Sequence, residues 1–214
     1  MGDFHEERRT RSRGRGVFLG IVLVTCALLS PVSVPAQATV SVSAVDPTGR
    51  IGVGEQHTCA IRNDNTIWCW GDNNYSQLGS AIVSTPESDV PVQLSALPSG
   101  RVPSRISAGM YHTCVLATDG TVWCWGYNNV GQLGNGTPSG TLFFTPSKMD
   151  DDSFVINAVR IACGEVHSVA LLANGDVATC GFNGSGQLGD GSNGDRSKFF
   201  NVKSGIINIA CGAY

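Results

Sequence analysis

Several kinds of chemistry lack their raw material in this chain. Its 214 residues contain no Gly-rich phosphate loop, no nucleophile spaced for pairing with a base, and no zinc module. Motif-borne nucleotide hydrolysis, covalent catalysis and metal hydrolysis therefore have no support. Charge is scarce at 14% of residues and slightly acidic, with 14 Lys and Arg against 17 Asp and Glu. No global basic field draws nucleic acid. Long apolar runs are also missing. The one candidate, VFLGIVLVTCALL from Val17 to Leu29, would span only about 20 Å as a helix, short of a bilayer's hydrocarbon core. Glycine, by contrast, is abundant at 27 residues with only 9 prolines, which suits a turn-dense, strand-rich chain.

That apolar run follows directly on Arg8, Arg9, Arg11, Arg13 and Arg15, and is followed by Pro31, Pro35 and Ala36-Gln37-Ala38. A basic head, a short apolar stretch and an A-x-A end read as a secretory signal peptide over 1–38, cleaved after Ala38. An uncleaved signal anchor is the alternative, and only that would bring the protein to a membrane. A nuclear or nucleic-acid tail is set aside because the apolar run abuts the arginines. Secretion, or at least an extracytoplasmic location, makes disulfides the default for well-placed cysteines.

The mature chain, 39–214, repeats itself. His57, His112 and His167 are spaced by 55 residues, and so are Gly54, Gly109 and Gly164, Gly71, Gly126 and Gly181, and the Gln-Leu-Gly triplets at 77, 132 and 187. Ala210-Cys211-Gly212 repeats Ala162-Cys163-Gly164 after 48 residues, so a constant core is joined by connectors of variable length. Within a unit, His112 to Ala117 and Thr121 to Trp125 flank Asp119-Gly120, a hairpin signal. Asn174-Gly175 and Asn63-Asp64-Asn65 stand at the same place in the other units. Val90 to Leu94 is a candidate outer strand. The units run over about 50–94, 101–149 and 155–203, with the start of a further one at 206–214. Each predicts three to four short antiparallel strands that bury their apolar faces by stacking. The expected fold is all-β, a partial β-propeller of about three blades.

AGMYHTCVLATDGTVWCWGYNNVGQLGNG, Ala108 to Gly136, resembles the repeat of the regulator of chromosome condensation family, and Gly164 to Gly191 is a looser copy. The resemblance covers about residues 50 to 214 and implies a β-propeller, commonly of seven blades. Since the chain stops at Tyr214, just where the next unit's His is due, a fragment or truncated gene product is expected, and the full ring is expected to be a monomer.

Cys59 and Cys69 are equidistant from Asp64, and Cys114 and Cys124 from Asp119. In antiparallel hairpins centred there, each pair is directly opposed and within disulfide range. The third unit has Val169 and Thr179 instead, so both cysteines are lost together. Zinc held by His57, Cys59 and Cys69 is the rival, but the spacing matches no common zinc module. Cys163, Cys180 and Cys211 are expected as buried free thiols, with a Cys163–Cys211 bridge left open. The recurring histidines are expected to bond neighbouring backbone, because residues repeated in every unit serve the architecture and a reaction centre is a single asymmetric constellation. Trp68, Trp70, Trp123 and Trp125 alternate along their strands and are expected to pack between blades, more thinly in unit three, where Ala178 and Cys180 replace them. Asp190 to Asp195 lacks calcium-loop spacing and reads as a turn. Asn74, Asn135 and Asn183 open glycosylation sequons in loops expected at the surface.

These readings point to a secreted, non-enzymatic protein-interaction module with no cofactor, no metal and no catalytic residue. Its protein partner, unidentified, would meet the unrepeated stretches Ser80 to Val90, Gly140 to Phe154 and Gly194 to Phe200. Two alternatives stand beside this: guanine nucleotide exchange on a small GTPase, which the family resemblance implies and which needs cytosolic or nuclear exposure, and a cell-surface carbohydrate binder, which needs exposed tryptophans.

Overall fold

A computed structural model describes residues 49–79 and 86–213, which belong to the unit formed by residues 44–214. The expected signal peptide, its cleavage site at Ala38 and most of the Ser80–Val90 connector lie outside the described residues. Each repeat folds as a four-stranded antiparallel meander. Blade 1 holds β1 (Ile51–Val53), β2 (His57–Ile61), β3 (Ile67–Asp72) and β4 (Glu87–Gln93). Blade 2 holds β5 (Pro103–Ala108), β6 (His112–Ala117), β7 (Val122–Tyr127) and β8 (Thr141–Pro146). Blade 3 holds β9 (Ala158–Cys163), β10 (His167–Leu172), β11 (Val177–Gly181) and β12 (Arg196–Lys203).

The turn chemistry sets the central hairpins. Ala117 accepts from the Gly120 amide at 3.0 Å. Gly120 has φ +80°, and the matching Asn65 and Gly175 have φ +64° and +84°. Glycine and asparagine enter that region at least cost. The turn holds the register that opposes His112 to Gly126, Cys114 to Cys124 and Leu116 to Val122.

Strand alternation then divides blade 2 between its neighbours. Val115, Ala117, Trp123 and Trp125 join Ile61, Ile67, Leu78 and Ile106 in one core cluster. Cys114, Leu116, Val122 and Cys124 join Leu133, Val155, Ala170 and Phe199 in a second. Every residue of β6 is therefore buried, whereas β2 alternates buried and half-buried. Because side chains alternate in direction, a strand covered on both sides has no solvent face, and β6 buries even His112 and Thr113. The innermost strands contact one another across blades, β1 with β5 and β5 with β9. The chain is thus an all-β stack of propeller blades.

Three expectations need correction. Packing at blade 3 is not thin. Phe199 on β12 is fully buried and fills the space beside Gly134 and Cys180, where blade 2 has Trp125 with Phe144 set edge-on at 4.8 Å. The outer strand expected at Val90 to Leu94 begins earlier, at Glu87, and the same outermost element is built from the other unrepeated stretches as β8 and β12. The opening strand expected at 206–214 forms no ladder in its described part, 206–213. An innermost strand pairs with the second strand of its own unit, as β5 does with β6, and no second strand lies opposite 206–213 among the described residues.

Candidate functional site

The repeated polar letters are joined by one arrangement used twice. The Thr113 hydroxyl on β6 donates to the Gln77 carbonyl at 3.1 Å and stands 2.8 Å from His57 Nε2. A hydroxyl has a single proton, so His57 Nε2–H must be the donor to Thr113, which sets the tautomer. Trp125 Nε1 donates to the same Gln77 carbonyl at 2.8 Å. One repeat later, His112 Nε2 meets Ser168 Oγ at 2.9 Å, and Ser168 donates to the Gln132 carbonyl at 2.8 Å. There the Cys180 thiol takes the place of the tryptophan, 3.6 Å from that carbonyl. His57 and His112 are therefore architectural, but their partner is the next blade's hydroxyl and not neighbouring backbone. Each ring opens a second strand and reaches across the interblade gap.

Glycine makes room for those rings. A Cβ on Gly54 or Gly109 would come within 2.7 or 2.6 Å of Nδ1 of His57 or His112. Both Nδ1 atoms are buried and have no hydrogen-bond partner among the described residues. Burial pushes His57 down to about 4, against a smaller opposing pull from Asp72. It pushes His112 down to about 3, helped by the neighbouring His57 and His167. Both are neutral donors at physiological pH.

Cys59 and Cys69, and likewise Cys114 and Cys124, are opposed with Cα atoms 4.1 Å apart and sulfurs bonded. Cys163, Cys180 and Cys211 are free thiols, but only Cys180 is buried, Cys163 and Cys211 being half-buried. Burial pushes Cys163 and Cys211 up to about 12 and holds Cys180 well above its ordinary value, so none is a ready nucleophile. The only group of potential metal ligands among the described residues, His112, Cys114 and Cys163, includes a cysteine already paired. Trp125 is fully buried, and Trp123 is buried with Arg101 5.1 Å over its ring. Trp68 is half-buried beneath Arg62 at 5.5 Å. None of these three offers an open sugar platform.

The three sequons occupy different environments. Asn74 is exposed and Asn135 half-buried, but Asn183 is buried. Asn183 Nδ2 donates to Asp190 Oδ1 at 3.1 Å and to the Ser192 and Gly194 carbonyls. Its Oδ1 accepts from the Leu188 amide at 3.0 Å, as Asn128 does from Leu133. Asn183 is the residue that closes the Gln-Leu-Gly loop, so the expectation of surface exposure fails there. Asp190 to Asp195 is a turn whose first carboxylate is taken by Arg196, Ser192 and Asn183. The acidic Asp150-Asp151-Asp152 run is likewise engaged. Lys198 reaches Asp152 at 2.9 Å and Arg196 reaches Asp150 at 3.4 Å, while Phe199 bonds Lys148 and Asp150 through backbone. That connector clamps blade 2 to β12.

What remains presented is the loop end that carries the β1–β2, β5–β6 and β9–β10 turns. Tyr75, Tyr111 and Tyr127 cluster there, with ring centroids 4.6, 5.0 and 6.2 Å apart. Beside them a cleft of about 520 Å³ is lined by Glu55, Met110 and Glu165. Sequence reasoning missed this cluster because it looked for connectors. The usable signal was in the aligned repeats, where Tyr75, Tyr111 and Tyr127 match Val130, Gln56 and Asp72, positions that vary beside constant ones.

Stacked antiparallel blades, bridged by histidine, hydroxyl and carbonyl, define a sector of a β-propeller. Residues 64–116 and 119–171 match the model of the Regulator of chromosome condensation (RCC1) repeat, and 50–77, 104–132 and 158–187 match a second model with the same description. The chain belongs to that repeat family. It is similar to the probable E3 ubiquitin-protein ligase HERC4 of Rattus norvegicus, 31% identical over 176 residues that cover 76% of this chain and 15% of HERC4. It is also similar to the ultraviolet-B receptor UVR8 of Arabidopsis thaliana, 31% identical over 147 residues, 69% of this chain and 32% of the receptor. Among solved structures, yeast RCC1 (Prp20) bound to Kap60 is 26% identical with a TM-score of 0.66, over 76% of this chain and 39% of that one. The chain therefore spans well under half the length of these relatives.

Proposed function

We propose that the protein is an extracytoplasmic, non-enzymatic protein-interaction module whose blade loops grip a partner. The observation that carries this reading is the commitment of the repeated chemistry to architecture. Histidines, buried tryptophans, loop glutamines and paired cysteines all bond or pack within and between blades. Recognition is thereby left to the unit-specific loop residues. The basic and apolar head with its A-x-A end supports export, and the two hairpin cysteine pairs suit an oxidising compartment. The test is expression of the full chain in a secretory host, with mass spectrometry of the unreduced product. A mature start after Ala38 with two disulfides supports the reading, and cytosolic retention with all thiols reduced overturns it.

Nucleotide exchange on a small GTPase is the second reading. It draws on the likeness to Prp20 of Saccharomyces cerevisiae, described with its binding to Gsp1p and histones, at 26% identity and a TM-score of 0.66. Accelerated release of labelled guanine nucleotide from a small GTPase by the reduced, cytosolic protein would favour it over the first.

A further inference from the structure

Resting on the reading of the chain as an interaction module, we infer that the tyrosine cluster and the acidic cleft beside it form a docking site for a protein segment bearing Arg or Lys side chains. The aromatic part is built from two blades. Tyr75 comes from the loop after β3, while Tyr111 and Tyr127 flank β6 and β7. Tyr75 is 36% exposed and the other two are half-exposed, so the rings present faces and edges to solvent. None of the three positions carries a tyrosine in the other units, where Gln56 and Val166, Asp72 and Phe182, and Val130 and Ser185 stand instead. The cluster is therefore a feature of this one interblade junction and not of the repeat.

This end is acidic around the tyrosines, while Arg196 and Lys198 of β12 lie against its blade 3 and blade 2 loops and are paired with Asp190 and Asp152. Its loops, 54–56, 73–79, 109–111, 128–140, 164–166 and 182–195, contain no lysine or arginine. Around the rings stand Glu55, which is exposed, Asp72 at the end of β3, and Glu165. Backbone bonds hold these residues beside the cluster, from the Met110 amide to the Glu165 carbonyl at 3.0 Å and from the Asp72 amide to the Gln56 carbonyl at 2.8 Å. The Asp72 carboxylate itself accepts from Asn74 and Gln77. The Tyr111 phenol is raised above its ordinary value, first by burial and then by Glu55, Tyr75, Asp72 and Glu165. The opposite end of the blades carries Arg62 in the β2–β3 turn and Arg101 in the connector before β5. A solvent-open concavity of about 520 Å³ carries Glu55 and Glu165 among small and apolar residues such as Val53, Ala108 and Met110, the neighbour of Tyr111. An ammonium or guanidinium gains from the negative faces of aromatic rings and from nearby carboxylates together. An anionic or purely aliphatic segment gains from neither. Charge complementarity thus selects a cationic partner segment, lying over Tyr75 with a basic side chain directed toward Glu55.

The test uses the full chain recovered from a secretory host and a fluorescein-labelled twelve-residue peptide of Arg, Lys, Gly and Ser, with a matched peptide in which Gln replaces every basic residue. Fluorescence anisotropy should show the basic peptide bound at least about tenfold more tightly. Tyr75→Ser and Glu55→Lys should each weaken it by about fivefold or more, while Arg62→Glu at the opposite end should not weaken it. Both changed residues are exposed, and far-UV circular dichroism verifies that the variants fold. Equal binding of the two peptides, or indifference to Tyr75→Ser and Glu55→Lys, overturns the inference. Cross-linking in the native medium separates the two levels of the argument. A partner whose capture ignores both substitutions leaves the module reading standing and this site refuted, and absence of any partner refutes the module reading itself.

Discussion

Taking the protein from about pH 7.5 to about pH 5 should remove on the order of 4 kcal/mol of folding stability. In the folded chain burial holds His57 at about 4 and His112 at about 3, while in the unfolded chain both titrate near about 6.5. Between those values the unfolded state binds protons that the folded state excludes, so stability is complete above about 6.5 and declines as pH falls toward the folded values. At pH 5 the unfolded ring is almost fully protonated and the folded ring almost fully neutral, a difference of about 2 kcal/mol for each histidine. His167 is shifted in the same direction by its own burial. Carboxylates do not confuse the window. Asp64 is held below its ordinary value by the Thr66 hydroxyl, so its contribution persists until the pH drops under about 4. Urea unfolding followed by tryptophan fluorescence at stepped pH and constant ionic strength reads the effect. A midpoint that stays flat down to pH 5, or imidazole resonances of His57 and His112 that titrate near 6.5 in the folded protein, would refute the reasoning.

Thr113→Val keeps the shape of the side chain but strands His57 Nε2–H without an acceptor, which should cost about 2 kcal/mol in the same assay. Thr58, the equivalent residue of blade 1, makes no such bridge among the described residues, so Thr58→Val should cost under about 0.5 kcal/mol. Val169 and Thr179 are opposed as Cys59 and Cys69 are. Replacing both with cysteine should form a third hairpin disulfide, visible as a mass loss of two hydrogens. Closing that short loop contributes about 3 kcal/mol, and loss of the Thr179 Oγ1 bond to the Leu188 carbonyl offsets about 1 kcal/mol of it. In a host that glycosylates, the folded protein recovered should carry glycan at Asn74 and none at Asn183, read by glycopeptide mass spectrometry. Occupancy at Asn183 would contradict its closure of the Gln-Leu-Gly loop.

Much of the architecture was legible because a repeat compares itself. The 55-residue spacing, the Asp-Gly and Asn-Gly turns and the cysteines equidistant from Asp64 and Asp119 are local facts, and hairpin register follows from turn chemistry and period-two alternation. The outer strands were harder to read. β8 and β12 sit in stretches whose letters differ between units, because an outermost strand packs on one side and tolerates many side chains. Phe199 was not readable as the filler beside Cys180, since only blade stacking brings residues 134, 180 and 199 together.

Sequence alone determined the all-β repeat and the opposition of the paired hairpin cysteines, since each depends on spacing along the chain. Tertiary structure decided what the constant polar letters do. His57, Thr113, Gln77 and Trp125 meet only when blades stack, and hydrogen bonds between residues 36 to 56 positions apart leave no periodic trace of their partners. It also decided which irregular residues come together, for Tyr75, Tyr111 and Tyr127 become one surface only across a blade junction.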